Sequence, residues 1–127
     1  KNKKLKFFAE LKKKPIISII GIGNDGHYAS IFNKSKKLSS LIDYHKKPDI
    51  LITEAIGKPK LKRVTINLST ILLSKKIFII INSKQKKKIF IKFIKSRVNP
   101  LYTLVKYSKK KLFVFNASSL NKYNLKF

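Results

Sequence analysis

His27 is the residue best suited to proton-transfer chemistry in this chain. It follows Gly21-Ile22-Gly23-Asn24-Asp25-Gly26, a glycine-rich run placed directly after the β-branched stretch Ile16–Ile20. An unperturbed imidazole has a pKa of ~6.5, so it can take a proton from water near neutral pH. Asp25, two residues earlier, is a candidate either to orient that imidazole or to meet the substrate. Gly23 and Gly26 are candidates for oxyanion support, because glycine lets backbone N–H groups come close to a reacting centre. The run also matches G-x-G-x-x-G, but a dinucleotide site needs an acidic residue about 20 positions further on, at the end of the next strand. Asp43 has that distance, yet Leu38–Ile42 before it makes a poor strand. With no cysteine there is no thiolate nucleophile and no disulfide framework. The five carboxylates are scattered and the two histidines lack ligand spacing, which disfavours metal catalysis. Ser30 sits in no G-x-S-x-G elbow, which disfavours a serine triad.

Taken further, Asp25-Gly26-His27-Tyr28-Ala29-Ser30-Ile31-Phe32, preceded by Gly21-Ile22-Gly23, resembles the D-G-H-T-A-S-L-F-P signature of the 6-phosphogluconolactonase family. The related glucosamine-6-phosphate deaminases share D-G-H but continue as I-A-F-N-E-P, so Ala29-Ser30-Ile31-Phe32 sides with the lactonases. Lys58-Pro59 followed by Arg63-Val64-Thr65 resembles the family's K-P…R-[IV]-T motif, and Ile77–Ile81 followed by Lys86 resembles its strand-G-x-x-K motif. The three stand in family order over about residues 11–120, and they cover only the family's C-terminal part. The resemblance implies hydrolysis of 6-phosphoglucono-lactone to 6-phosphogluconate, a step of the pentose phosphate pathway, without metal or cofactor. It casts His27 as general base and Arg63 and Lys86 as the groups that hold the substrate phosphate.

The residue types suit those roles. Lys84, Lys86, Lys87 and Lys88 crowd a predicted helix N-terminus, where the macrodipole disfavours cations and a bound phosphate would relieve the conflict. Arg63, one of two arginines, has a guanidinium able to fork onto phosphate oxygens. The chain departs from the family at Tyr28 (usually Thr), Asn33 (Pro), Ser83 (Gly) and Asn116 (acidic). The family's N-terminal glycine/serine-rich phosphate loop and D-E-R type segment have no counterpart. Two rival readings follow: an amino-sugar-phosphate deaminase or isomerase, and a truncated, non-catalytic remnant that binds polyanions through its lysines.

These residues need a scaffold. Residues 5–13 read as a short amphipathic helix stopped by Pro15, and Ile16–Ile20 as a buried strand. Asp49–Thr53 and Arg63–Ile66 read as short extended segments, and Asn67 as the cap of a helix reaching Ser74. Ile77–Ile81 is a second strongly apolar strand. Asn82 or Ser83 can cap the helix after it, with Ile89, Phe90, Phe93 and Ile94 on one face. Beyond Pro100 an extended stretch is expected near Tyr102–Tyr107, then a strand at Leu112–Phe115 and a short helix at Ala117–Tyr123. Strands alternating with helices predict an α/β fold: a partial Rossmann-like parallel sheet with helices on both faces, like the C-terminal part of the lactonase/deaminase fold. Residues 1–127 are expected to form a single, incomplete domain. Ligands of such sheets bind beyond the carboxyl ends of the strands, which predicts Gly21–Gly26, Asn67 and Asn82–Lys86 along one rim.

Composition sets the outer bounds. Hydrophobic residues make up 43% of the 127, too many for a disordered chain. The net charge of +26 arises from 31 lysines and arginines against five acidic residues. All but Arg63 and Arg97 are lysines, spread along the whole chain beside abundant Ile, Asn, Phe and Tyr, the pattern of drift toward A/T-rich codons. Nucleic-acid readers group arginine forks and aromatics on one surface, so a nucleic-acid partner is disfavoured while any anionic substrate is favoured. No apolar run approaches the ~18 residues that span a bilayer. The expected setting is cytoplasmic, with a phosphorylated sugar lactone as ligand and with a missing N-terminal half, or another chain, as partner.

Overall fold

The β-branched runs at the two ends of the glycine loop's scaffold come together as neighbours. In the computed structural model, which describes residues 2–13 and 16–117, Ile17–Gly21 (β1) pairs in parallel with Lys76–Ile81 (β4), and β4 in turn with Leu112–Asn116 (β5). The sheet order is therefore β1-β4-β5. The remaining elements are α1 (Asn2–Lys13), α2 (Leu38–Ile42), β2 (Ile50–Ile52), β3 (Val64–Ile66), α3 (Leu68–Ile71), α4 (Lys84–Ser96) and α5 (Pro100–Ser108). This is the parallel α/β sheet with flanking helices that the alternating pattern predicts.

Period-two alternation sorts the sheet's side chains. Ile77, Ile79 and Ile81 of β4, with Ile20 of β1, are buried in one core with Leu41 of α2, Leu68 and Ile71 of α3, and Leu101 and Leu104 of α5. Each such side chain contributes roughly 1.5–3 kcal/mol by leaving water. The alternate positions form cross-strand rows, Ile19–Phe78–Phe113 and Gly21–Ile80–Phe115. Phe78 and Phe113 stack with centroids 5.3 Å apart. On that face Phe113 and Phe115 are exposed, as are Ile17 (59%) and Ile19 (74%). β1 is read from sequence as a buried strand, yet among the described residues it is a sheet edge with only one neighbour.

Three further expectations are corrected. The segment after Pro100 is a helix, not an extended stretch. Asn99 caps it, its Oδ1 accepting from the Tyr102 N–H at 2.9 Å, and Pro100 stands in the first turn, where a missing N–H costs nothing. Burial of Leu101 and Leu104, three apart on one face, outweighs the weak helix propensity of Tyr102, Val105 and Tyr107. Asn67 does cap a helix, α3, but its side chain is buried and engaged with the protein's own groups. Its Oδ1 accepts from the Thr70 and Asp49 backbone N–H groups, and its Nδ2 donates to the Lys47 carbonyl. The segment Asp49–Thr53 contributes β2, which pairs antiparallel with β3 as a separate ribbon rather than joining the parallel sheet. The helix expected at Ala117–Tyr123 lies outside the described residues from 118 onward.

The segment that follows His27 is held by a tight turn. The Ile31 N–H donates to the Tyr28 carbonyl at 2.7 Å, and both central residues, Ala29 (φ 45°) and Ser30 (φ 58°), are left-handed. The reversal sends Tyr28 and Ile31, both fully buried, into the core, and the Thr65 hydroxyl of β3 fastens it by donating to the Ala29 carbonyl. The Tyr28 hydroxyl has no hydrogen-bond partner among the described residues, and burial pushes its pKa well up.

Two outcomes follow. Among the described residues β1 has one unpaired edge and exposed isoleucines, which favours strand pairing between copies, so these residues are expected to self-associate, and Ile19→Lys to shift them toward monomer in sedimentation velocity. Tyr28→Phe removes a buried hydroxyl that lacks a partner, so urea denaturation is expected to show unchanged stability or a gain of up to about 1 kcal/mol. A loss of that size would mean the hydroxyl is paired.

Candidate active site

Parallel pairing brings the carboxyl ends of β1 and β4 side by side, with Gly21 in register with Ile80. The glycine loop leaving β1 therefore meets the start of α4 leaving β4. Ser83 caps α4 by accepting from the Lys86 N–H at 3.1 Å. Within that first turn, the Lys86 ammonium donates to the Ile22 carbonyl at 2.6 Å, which ties the two segments together. A carbonyl thus supplies some of the negative charge that a cation near a helix N-terminus lacks.

The loop closes on itself. The Gly23 N–H donates to the His27 carbonyl at 2.8 Å and the Gly26 N–H to the Gly23 carbonyl at 3.1 Å. Gly23 has to be glycine because the His27 ring lies directly over its Cα, where a Cβ would overlap Nδ1 and Cε1. Gly26 has φ 78°, and the Phe93 ring of α4 occupies the space a side chain would need. His27 is then held on two more sides. Its Nδ1–H donates to Asp25 Oδ1 at 2.5 Å, and its ring stacks on Phe32 at a centroid distance of 4.2 Å and an interplanar angle of 29°.

Burial works against ionisation of the Asp25 carboxyl, but hydrogen bonds from the His27 ring and backbone outweigh it, and the pKa lies below the ordinary 3.8. Asp25 is thus an anion at neutral pH. An anion at Nδ1 keeps the proton there and leaves Nε2 as the accepting nitrogen. The sign for stability follows from the lowered pKa: the contact's contribution is fully present above the unfolded value and is lost as pH falls through the folded one.

His27, Asp25 and Lys86 line one cleft of about 840 Å³, with Phe32, Phe93, Lys34 and Lys58 among the other walls. That volume suits a small ligand. Lysines outnumber the single carboxylate in the lining, so the cleft favours an anion.

Not all the expected residues converge on it. Arg63 turns away: its guanidinium donates to the carbonyls of Ile56, Leu61 (3.1 Å) and Pro59 (2.7 Å), and it is not part of the cleft lining. The N–H groups of Gly23 and Gly26 are committed to the loop's own carbonyls, so these glycines shape the turn rather than offer free donors to an oxyanion. Among the cleft walls, Phe32, Phe93, Lys34 and Lys58 carry no role in the sequence reading. Phe32 and Lys58 lie inside the segments that carry the resemblance, and Phe93 lies on the apolar stripe of α4, but neither pattern says that a ring would pack on His27 or Gly26. Leu38–Ile42, which a dinucleotide site would need as a strand, is helix α2.

Comparison with known proteins places this geometry in context. Residues 2–113 match the family model described as glucosamine-6-phosphate isomerases/6-phosphogluconolactonase. A 6-phosphogluconolactonase of Neisseria meningitidis is 33% identical over 78 residues, 61% of this chain and 33% of the relative. The crystal structure of a 6-phosphogluconolactonase from Shewanella baltica superposes with a TM-score of 0.69 at 23% identity, covering 85% of this chain and 48% of that one. For 6-phosphogluconolactonase from Thermotoga maritima the values are 0.65, 25%, 87% and 46%. The chain spans about half the length of these solved relatives.

The contact between His27 and Gly23 generates a direct prediction. Gly23→Ala is expected to push the ring off the loop and break its bond to Asp25 while leaving the sheet folded. ¹⁵N shifts of the His27 imidazole would report this as loss of the fixed Nδ1–H tautomer; an unchanged imidazole spectrum would show that the close approach does not hold the ring.

Proposed function

The chain belongs to the glucosamine-6-phosphate isomerase/6-phosphogluconolactonase family, and from that premise we propose that it carries the base-bearing half of a 6-phosphoglucono-lactone hydrolase. The observation that carries this reading is the 2.5 Å bond between Asp25 and His27 Nδ1 in a cleft lined by lysines. With Asp25 ionised, Nε2 takes a proton from water as the water oxygen attacks the lactone carbonyl. The tetrahedral intermediate collapses by breaking the ring C–O bond, and the departing alkoxide receives the proton back from the imidazolium. The product acid then ionises, so no cofactor is needed to balance the reaction. Negative charge that builds on the carbonyl oxygen does so beside lysine ammonium groups, which favour it. Lys86, at the start of α4, is a contact for the substrate phosphate. The reaction is the lactone-opening step of the pentose phosphate pathway, and a cytoplasmic setting fits it. No helix among the described residues is long and apolar enough to cross a membrane.

The amino-sugar-phosphate reading shares the family but has less support, because the residues after His27 side with the lactonases and the relatives described above are lactonases by name. A remnant that binds polyanions rests on charge alone. Since the chain spans about half of its solved relatives, the proposed partner is a segment equivalent to their other half, carried by the same polypeptide or by another, that completes the cleft.

Joined to or mixed with such a segment from a homologue, the chain is expected to hydrolyse the lactone, and His27→Ala to lower kcat by about 10²–10⁴ with little change in melting temperature. A folded His27→Ala protein that turned over at the full rate would remove His27 from the mechanism.

A further inference from the structure

The loop that links β2 to β3 shares a wall with the proposed base. Its Gly57 (φ 87°) sits against the Phe32 ring so closely that a Cβ would overlap it, and the opposite duty of the same ring is to stack on His27. Arg63 ties the loop down: three of its N–H groups go to the carbonyls of Ile56, Pro59 and Leu61, and its Cζ lies 5.5 Å from the Phe32 centroid. The loop is also pinched shut by the Ile56 N–H, which donates to the Leu61 carbonyl at 3.3 Å.

A guanidinium engaged in this way cannot also present its paired NH1/NH2 edge to a phosphate, since both NH1 hydrogens and one NH2 hydrogen have partners. Of the loop residues that line the cleft, Ile56, Gly57 and Lys58, the charged one is Lys58, which is exposed and shares that lining with Lys86. Resting on the lactonase reading above, we propose that Lys58 is the second cation of the phosphate subsite and that Arg63 is a positioning residue, which acts through the loop that carries Lys58. The subsite then has one lysine from α4, tied to the Ile22 carbonyl, and one from a loop that rests on the base's own stacking partner.

The test is isothermal titration of the 127-residue chain with 6-phosphogluconate and with gluconate at fixed ionic strength. The unaltered chain is expected to prefer the phosphorylated ligand. Lys58→Gln is expected to weaken 6-phosphogluconate binding about tenfold or more, the scale of one charge-assisted contact. Lys60→Gln, which removes the same charge from the same loop outside the cleft lining, should stay within about twofold, ruling out a mere loss of net charge. Arg63→Lys keeps the charge but loses the three-carbonyl clasp. It should speed amide hydrogen exchange at Ile56 in the ligand-free chain and weaken binding, and in a Lys58→Gln background it should add no further loss. If Lys58→Gln bound as tightly as the unaltered chain while preference for the phosphorylated ligand persisted, the assignment of Lys58 would be overturned and the lactonase reading kept. Full additivity of the two substitutions would instead make Arg63 a direct phosphate ligand and overturn its positioning role. No preference for 6-phosphogluconate over gluconate in the unaltered chain would sink the lactonase reading and this proposal with it.

Discussion

The parallel pairing of β1 with β4 is the constraint on which everything near the cleft depends. Because Gly21 and Ile80 are partners in register, the loop that leaves one strand and the helix that follows the other start within reach of each other. The Lys86–Ile22 bond, the seat of Phe93 over Gly26 and the path of the loop past His27 are all consequences of that alignment. A slip of one residue would reverse the faces of β1, putting Ile19 in the core and Ile20 outside. It would also carry Ile22 away from Lys86. Burial favours this register, because it places Ile20 in the same core as Ile77, Ile79 and Ile81.

Within the loop, geometry is set by exclusion more than by attraction. Two bare Cα atoms, at Gly23 and Gly26, leave the volumes that the His27 and Phe93 rings fill. Attraction then fixes the ring's rotation, through the Asp25 carboxylate at Nδ1 and the face of Phe32. The chain's large positive charge has a separate consequence. Nearly all the lysines whose exposure is described face water, where they set a general field that draws anions. Only those that line the cleft, Lys34, Lys58 and Lys86, turn that field into a local one.

Much of this is legible in the sequence, and the boundary is informative. The β-branched runs of β1 and β4, the cap at Ser83 and the apolar stripe of α4 are local patterns, and each appears where its residues call for it. The elements misjudged are those whose conformation is decided at a distance. Tyr102, Val105 and Tyr107 suggest extended chain, but Leu101 and Leu104 need a helix to reach the core together. Asn67 has the look of a residue at a strand end facing a ligand, while its four polar contacts lie inside the protein. At the site, the order of Asp25 and His27 is visible in the sequence but their contact depends on Gly23 being bare. The direction of Arg63 is not visible at all, because three carbonyls of a loop only come into line once that loop has folded.

Phe32 is a party wall. One face supports His27, and its far edge bears Gly57 with Arg63 above the ring. Two neighbours that share such a wall cannot be rebuilt separately. A bulkier ring at position 32 would lift the loop and tilt the imidazole in one event, and a smaller one would loosen both. For anyone redesigning this fold to take a different anion, the loop is the obvious place to work, and its lengthening or repacking would be felt by a histidine that no altered residue touches. Substitutions at solvent-facing positions meet no such restraint, but a change at this ring does, since any accommodating change must suit both sides at once.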